Sequence, residues 1–443
     1  MNPPWLKFIP AGLRTRIEHR PHLLKAMSNT GWLFGDHAVR MGVGLIVSVW
    51  LARYLGPEQF GLFSYAIAFV ALFGAVAGLG LGGIVVRDLV RAPEIANDTL
   101  GTSFLLQIIG GLLAFFLVVV AIFITRPDDQ LSILMVTVLG FAMVFKSTEV
   151  VKYWFESQVQ SKYSVWVENS AFLLFACVKV VLILGQASLM AFVWTLFAEG
   201  VVVAAALLGV YVWRGGHLNE WRSSQIRAKT LLKDSWPLIV SGLAVIIYMR
   251  IDQIMLGQML GNESVGIYSA AVRISEVWYF IPMAIVASVF PFLMQNQDQA
   301  VFVKNFQRLF DLMFAISFPM TLLIATFSSL IIRFMFGVEY QDASSVLSVY
   351  AWAILFAFLG VPAGRWYLYA DLQKLALVRT TLGAVVNVLL NMVLIPLYGS
   401  VGAAYATLVA IVISNVLFNA LDGRTRHLFV MQIRALSMRS FWK

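Results

Sequence analysis

Leu51-Ala-Arg-Tyr-Leu-Gly-Pro-Glu-Gln-Phe-Gly-Leu-Phe-Ser-Tyr-Ala66 returns 205 residues later as Leu256-Gly-Gln-Met-Leu-Gly-Asn-Glu-Ser-Val-Gly-Ile-Tyr-Ser-Ala-Ala271, and Leu, Leu, Gly, Glu, Gly, Ser and Ala are identical at seven of the sixteen positions. Each copy leads from one apolar run, through a turn marked by Leu-Gly-x-Glu, into a second apolar run. Turn glycines between apolar runs are how two helices are joined into a hairpin. The chain therefore reads as a duplication whose two halves begin alike.

Working outward from these copies, the rest is a membrane protein. Of 443 residues, 60% are hydrophobic and 12% charged, with mean hydropathy +0.82, whereas soluble domains carry about 25% charged residues. A bilayer-crossing helix needs about 20 apolar residues. Twelve stretches qualify: 31–52, 61–86, 99–124, 131–150, 164–185 and 188–212, then 236–259, 264–293, 309–332, 345–370, 375–397 and 400–421. The expected fold is all-α and polytopic, with about 12 transmembrane helices in two six-helix lobes around a central cavity. Its expected divisions are a basic N-terminal segment (1–30), an N-lobe (31–213), a basic linker (214–235), a C-lobe (236–421) and a basic tail (422–443). Six is even, so the halves run in parallel, related by an axis along the membrane normal, as in one class of secondary transporters with a mid-membrane site between lobes.

Charge sets the orientation. Lys and Arg accumulate on cytoplasmic loops; here 23 of 32 fall on the side bearing both termini, and three, Arg53, Arg126 and Arg333, on the other. Both termini are expected in the cytoplasm, and the formal charge of +9 is topogenic, which argues against nucleic-acid binding. No apolar run in the first 28 residues is long enough for a cleaved signal peptide. The single cysteine, Cys177, sits in an apolar run, and the histidines form no ligand set.

With Arg379, near the start of the eleventh span, counted among the cytoplasmic loop cations, six cations remain inside spans: Arg40, Lys146, Lys179, Arg250, Arg273 and Arg365. A cation at a helix centre costs at least about 2.5–3.5 kcal/mol on insertion scales, so it faces a cavity or a partner. Arg250 and Arg273 both lie about 13 Å deep, on neighbouring helices. An anion between them would relieve their repulsion; pairing of Arg273 with Glu276 at i+3 is the structural alternative. Asp36 and Arg40 share a face at i, i+4, Lys146 and Glu149 at i, i+3. Lys179 and Arg365 could instead snorkel to the interface. Asp36, Glu149, Glu199, Asp252 and Glu276 are candidates for Na+ or H+ coupling or for pairing within the cavity. Gly78-Leu-Gly-Leu-Gly-Gly83 matches a dinucleotide pattern but ends an apolar helix instead of following a strand, so close helix packing explains it better. Asn387, Asn391, Tyr367, Tyr369, Trp278 and Tyr279 could touch sugar, though interhelical bonding and interfacial placement account for each.

The segment 51–61, the run Gly80-Leu-Gly-Gly-Ile-Val-Val-Arg87-Asp88, Arg250-Ile-Asp252-Gln-Ile-Met-Leu256, Gly266-Ile-Tyr-Ser-Ala-Ala-Val-Arg273-Ile-Ser-Glu276 and Phe336-Gly-Val-Glu-Tyr340 resemble the bacterial oligosaccharide flippases of Wzx type. The resemblance runs from about residue 28 to 420. It implies the multidrug/oligosaccharidyl-lipid/polysaccharide exporter fold and a multi-pass protein of the bacterial inner membrane. It also implies alternating-access movement of undecaprenyl-pyrophosphate-linked repeat units for O-antigen, capsule or exopolysaccharide, alongside other glycan-assembly proteins. Cavity cations engage the pyrophosphate in that family; Arg40, Arg250 and Arg273 match, with Lys146 and Lys179 less firmly placed. Such a chain is a transporter, not an enzyme, and needs no cofactor. A cation-coupled drug exporter would favour acidic and aromatic cavity groups, and a glycan polymerase or ligase a larger outer loop than 333–344.

Overall fold

The computed structural model describes residues 21–294 and 299–437, with the side chains of 40–290, 293 and 300–437. Among the described residues, ten helical stretches are long and apolar enough to cross a membrane, and no strand occurs. Helices are what a spanning chain must form, because hydrocarbon offers no partner for an exposed amide or carbonyl.

The first half comprises α1 (Pro21–Leu72), α2 (Gly74–Gly78), α3 (Gly82–Arg91), α4 (Ala96–Thr125), α5 (Gln130–Phe141), α6 (Glu149–Ser157), α7 (Lys162–Leu184) and α8 (Leu189–Trp213). The second comprises α9 (Gln225–Met259), α10 (Asn262–Glu276), α11 (Phe280–Met294), α12 (Gln299–Thr326), α13 (Ser328–Met335), α14 (Ala343–Tyr369), α15 (Gln373–Val412), α16 (Phe418–Leu421) and α17 (Arg426–Leu436).

Two of the ten stretches contain a turn. α1 breaks at Gly56 (φ 70, ψ 170) and α15 at Gly399 (φ 61, ψ −139), backbone states open essentially to glycine alone. Twenty residues of straight helix would separate Asn387 from Thr407 by about 30 Å, yet their side chains meet at 3.4 Å, so α15 is a hairpin. Counting both bent stretches twice restores twelve passes. The duplication is visible in the backbone: Gly261, the repeat mate of Gly56, adopts φ 91, ψ 179.

Several expected boundaries move. The second span is not one helix: it stops at Leu72 and is interrupted again at Leu79 (φ 50) and Gly80 (φ 61). A Cβ on Gly80 would lie 2.8 Å from Leu238 Cβ, so the glycine-rich run lets α9 approach closely. The fourth span passes through a 3-10 stretch, Ala142–Thr148, and the twelfth through a π-helical turn, Ile413–Leu417. The linker is shorter than expected, since α9 already begins at Gln225. It is also pinned to the N-lobe: Arg222 N donates to Asn97 O, Ser224 N to Thr102 Oγ1, and Arg227 Nη2 to Asp88 Oδ2 at 2.6 Å. Nearby, Arg87 bridges Asp88 and Asp234, whose hydrogen bonds raise its pKa. The tail is not all free either, because α17 buries Leu428, Met431, Gln432 and Ala435, with Gln432 Nε2 donating to Leu359 O and Asn415 O.

Candidate functional site: a charged cleft between the lobes

The lobes cross where the repeats do. A Cβ on Gly61 would lie 1.8 Å from Asn262 O, and one on its mate Gly266 would lie 2.0 Å from Pro57 O. Each glycine thus accepts the other repeat's backbone, the close approach that small residues permit between membrane helices. Around this crossing the end of the bundle bearing Gly56 and Gly261 is sealed. Arg126 of the N-lobe donates to Asn262 Oδ1 (2.8 Å) and Gly257 O (2.6 Å) of the C-lobe, and lies 3.9 Å above the Tyr65 ring. Asp129 pairs with it at 3.2 Å. Burial raises the Asp129 pKa, but the Ser132 hydroxyl and amide, together with Arg126, outweigh that and hold it below the usual value. Gln258 Nε2 donates to Tyr65 Oη, and Tyr340 Oη to Ala52 O.

One helical turn beyond the glycines, Ser64 and Ser269 occupy matching repeat positions. Both are buried, and neither hydroxyl has a partner among the described residues. They open onto a cavity of about 110 Å³ between the lobes, lined also by Ile67, Arg250, Gln253, Val272, Arg273 and Glu276. The structure thus brings Arg250 and Arg273 into one chamber, as their matching depth predicts. Glu276 pairs with Arg250 across helices (3.4 Å) and not with Arg273 on its own helix. Arg273 has no hydrogen-bond or ion-pair partner among the described residues. Two cations against one carboxylate, with two unpartnered hydroxyls, form a chamber matched to an anion with several acceptor oxygens. At 110 Å³ it falls below the roughly 300–1,000 Å³ of pockets that enclose drug-sized ligands; a glycan passes only if the lobes part.

Asp252 faces the C-lobe interior instead. It is 3% exposed and accepts from Tyr268 Oη, Thr407 Oγ1 and Asn391 Nδ2, while Asn391 Oδ1 is buried with no partner. No cation lies within salt-bridge distance of this carboxylate among the described residues. Uncompensated buried charge is costly, so a carboxylate beside an orphaned amide oxygen is an environment that a proton or a small cation would neutralise.

The other candidates lie apart from this chamber. Lys179 pairs with Glu199 at 3.0 Å. Arg40 and Lys152 converge on Glu168, at 3.2 and 2.7 Å; the Asp36 side chain lies outside the described residues, so its pairing with Arg40 is not seen. The expected Lys146–Glu149 pair is not formed: Glu149 accepts from Tyr153 Oη, and Lys146 Nζ approaches Gly74. Asn387 and Asn391 are fully buried structural donors, not sugar contacts, and Tyr367 Oη donates to Asn419. Sequence reasoning missed Ser64 and Ser269, although the repeat marked both. It also missed Arg379, counted as a loop cation, whose guanidinium lies 4.9 Å from the Tyr367 ring centre with Nη1 buried and unpartnered.

Two family models match the chain. The family described as "Polysaccharide biosynthesis protein" matches residues 26–297, and the MatE family matches residues 237–393. Among curated relatives, a protein named as the low-salt glycan biosynthesis flippase Agl15 of Haloferax volcanii is 24% identical over 405 residues, 87% of this chain and 81% of that one. A protein of Shigella flexneri named as an O-antigen transporter is 24% identical over 342 residues, 74% of this chain and 80% of that one. Among solved structures, lipid II flippase MurJ in an inward closed conformation superposes with TM-score 0.70 at 13% identity, covering 93% and 91% of the two chains. An inward-facing multidrug resistance MATE family transporter of the MOP superfamily gives TM-score 0.71 at 15% identity, covering 90% and 95%.

Proposed function

Because the chain belongs to the polysaccharide biosynthesis protein family, we propose that it is a flippase for lipid-linked oligosaccharide. In this reading it carries undecaprenyl-pyrophosphate-linked repeat units from the cytoplasmic to the outer leaflet of a bacterial inner membrane. Both termini are cytoplasmic, and neighbouring glycan-assembly proteins supply the substrate and take up the product. The observation that carries the proposal is the chamber at the lobe seam, where Arg250, paired with Glu276, and the unpartnered Arg273 stand beside the unpartnered Ser64 and Ser269 hydroxyls.

The physics is that of a charge crossing hydrocarbon. A prenyl chain stays in lipid while its diphosphate enters the cleft, and Arg offers fixed forked donors that remain charged throughout. Arg273 meets the diphosphate first because it carries no partner to be displaced, and Arg250 follows by exchanging Glu276 for phosphate oxygens. With the anion held by the two C-lobe arginines against Ser64 of the N-lobe, the seal at Gly61 and Gly266 and the Arg126 contacts give way, and the opposite end closes. Only positions change and no covalent bond is made or broken. Asp252 is the coupling group in this scheme: a proton or Na+ neutralises it, with Asn391 Oδ1, Thr407 Oγ1 and Tyr268 Oη as further oxygen donors.

The test is reconstitution in liposomes with a prenyl-pyrophosphate oligosaccharide, following its arrival in the far leaflet by lectin accessibility. Arg250→Gln and Arg273→Gln lose transport while the protein stays folded, and Asp252→Asn loses its dependence on the ion gradient. Native protein that moves cationic drugs but no prenyl pyrophosphate overturns the assignment in favour of an exporter.

A further inference from the structure

We infer a second anionic site, outside the transport cleft: a groove on the membrane-facing surface that takes the headgroup of an anionic glycerophospholipid. The groove, about 660 Å³, is lined by Ile46, Val49, Trp50 and Arg53 of α1 and by Leu330, Arg333, Phe334 and Met335 of α13. It joins the lobes, since α1 belongs to one and α13 to the other. Neither arginine has a hydrogen-bond or ion-pair partner among the described residues. The nearby Glu339 directs its carboxylate toward Gly56.

Depth identifies the occupant. Arg53 lies three residues before the Gly56 turn and Ile46 ten, so the wall descends from about 5 Å to about 15 Å below the turn. That is one leaflet's share of a hydrocarbon core roughly 30 Å thick. The charges sit at headgroup level, and Ile46, Trp50, Leu330 and Phe334, respectively 59%, 48%, 65% and 80% exposed, line the slope beneath. A dissolved phosphate would use the arginines and leave these side chains bare; a diacyl lipid with an anionic headgroup uses both. Arg53 and Arg333 are two of the three basic residues on the sparsely charged side, so their convergence is not a by-product of topogenic charge. The site also adjoins the seal, because Ala52 O accepts from Tyr340 one residue from Arg53. A lipid bridging the two arginines therefore fastens the lobes in the arrangement seen here.

Trp50 supplies the readout. The full-length protein is placed in phosphatidylcholine nanodiscs containing either phosphatidylglycerol or further phosphatidylcholine with brominated chains, and the part of the quenching lost in Trp50→Phe is assigned to the groove. Brominated phosphatidylglycerol is expected to quench Trp50 in excess of the choline lipid. Its apparent affinity falls about tenfold in Arg53→Gln/Arg333→Gln, a change of about 1.4 kcal/mol, and is kept in Arg53→Lys/Arg333→Lys and in the control Arg222→Gln. Equal quenching by both lipids, or an excess that survives the double Gln substitution, overturns the site. If glycerol phosphate in solution abolishes the excess, the site takes free phosphate and the lipid assignment fails. Displacement by prenyl pyrophosphate at equal mole fraction would make the groove part of the transport route and likewise overturn it. Transport itself plays no part in the readout, so the flippase proposal stands or falls separately.

Discussion

Substitution of Gly266 by alanine probes the lobe crossing most directly. The added methyl would sit 2.0 Å from Pro57 O and 2.9 Å from Pro57 C, both backbone atoms that no rotamer change can move aside. Ordinary contact begins near 3.4 Å, so the two repeat helices must separate by more than 1 Å at this point. Forcing a methylene into a packed site costs about 1–3 kcal/mol, and the cost exists only while this end is closed. It therefore acts on a conformational equilibrium, shifting it about 5- to 150-fold toward the arrangement open at the Gly56/Gly261 end. The assay is the distance between spin labels at Asp128→Cys and Glu263→Cys, both exposed and on opposite lobes, in a background carrying Cys177→Ser. The expected result is a longer distance in the Gly266→Ala protein, with Gly83→Ala, where a Cβ meets nothing within 4 Å, as the neutral control. An unchanged distance distribution in a folded Gly266→Ala protein would refute the idea that the crossing is the seal.

Removing the Arg126 guanidinium as Arg126→Gln should lengthen the same distance, since it deletes two interlobe hydrogen bonds worth about 1 kcal/mol or more each; a label distance equal to the parent's would show that the glycines alone close this end. The Asp129 pKa lies below its ordinary 3.8, so the support this carboxylate gives is fully present above that value and fades as pH falls through the lower folded-state value. The closed distance should accordingly hold from about pH 8 to about pH 5, and opening within that interval would place the titrating group elsewhere. For Lys179 and Glu199, either Lys179→Met or Glu199→Gln alone should lower the melting temperature more than the two together, because each single change strands a charge; additive losses would mean the 3.0 Å pair is not coupled.

The span count, the duplication and the pairing of Arg250 with Arg273 were legible in the sequence because they depend on hydropathy, identity and depth along a helix. What could not be read there depends on which residues of distant segments meet. Glu168 lies 128 residues from Arg40, and Tyr268, Asn391 and Thr407 come to Asp252 from across the C-lobe. Local i, i+3 and i, i+4 spacing was a poor guide to partners: Lys146 and Glu149 do not pair, and Glu276 prefers the neighbouring helix's arginine. Ser64 and Ser269 were in plain view as identical repeat positions, but a small hydroxyl announces nothing until its lack of a partner is seen. The start of α9 and the burial of α17 escaped notice because both segments are rich in charge, and charge at a span end reads as loop whether or not the chain stays helical.

The pins that hold residues 222–227 on the N-lobe place the onset of α9 with one half while its later turns, from Asp252, belong to the other. The covalent joint between the halves is therefore not what conveys force between them. A break at Gly215-Gly216 would leave α9 anchored through Asn97, Thr102 and Asp88, so two separately translated fragments, 1–215 and 216–443, are expected to reassemble. The single chain then behaves as a tethered heterodimer, in which α9 is the lever shared by both subunits.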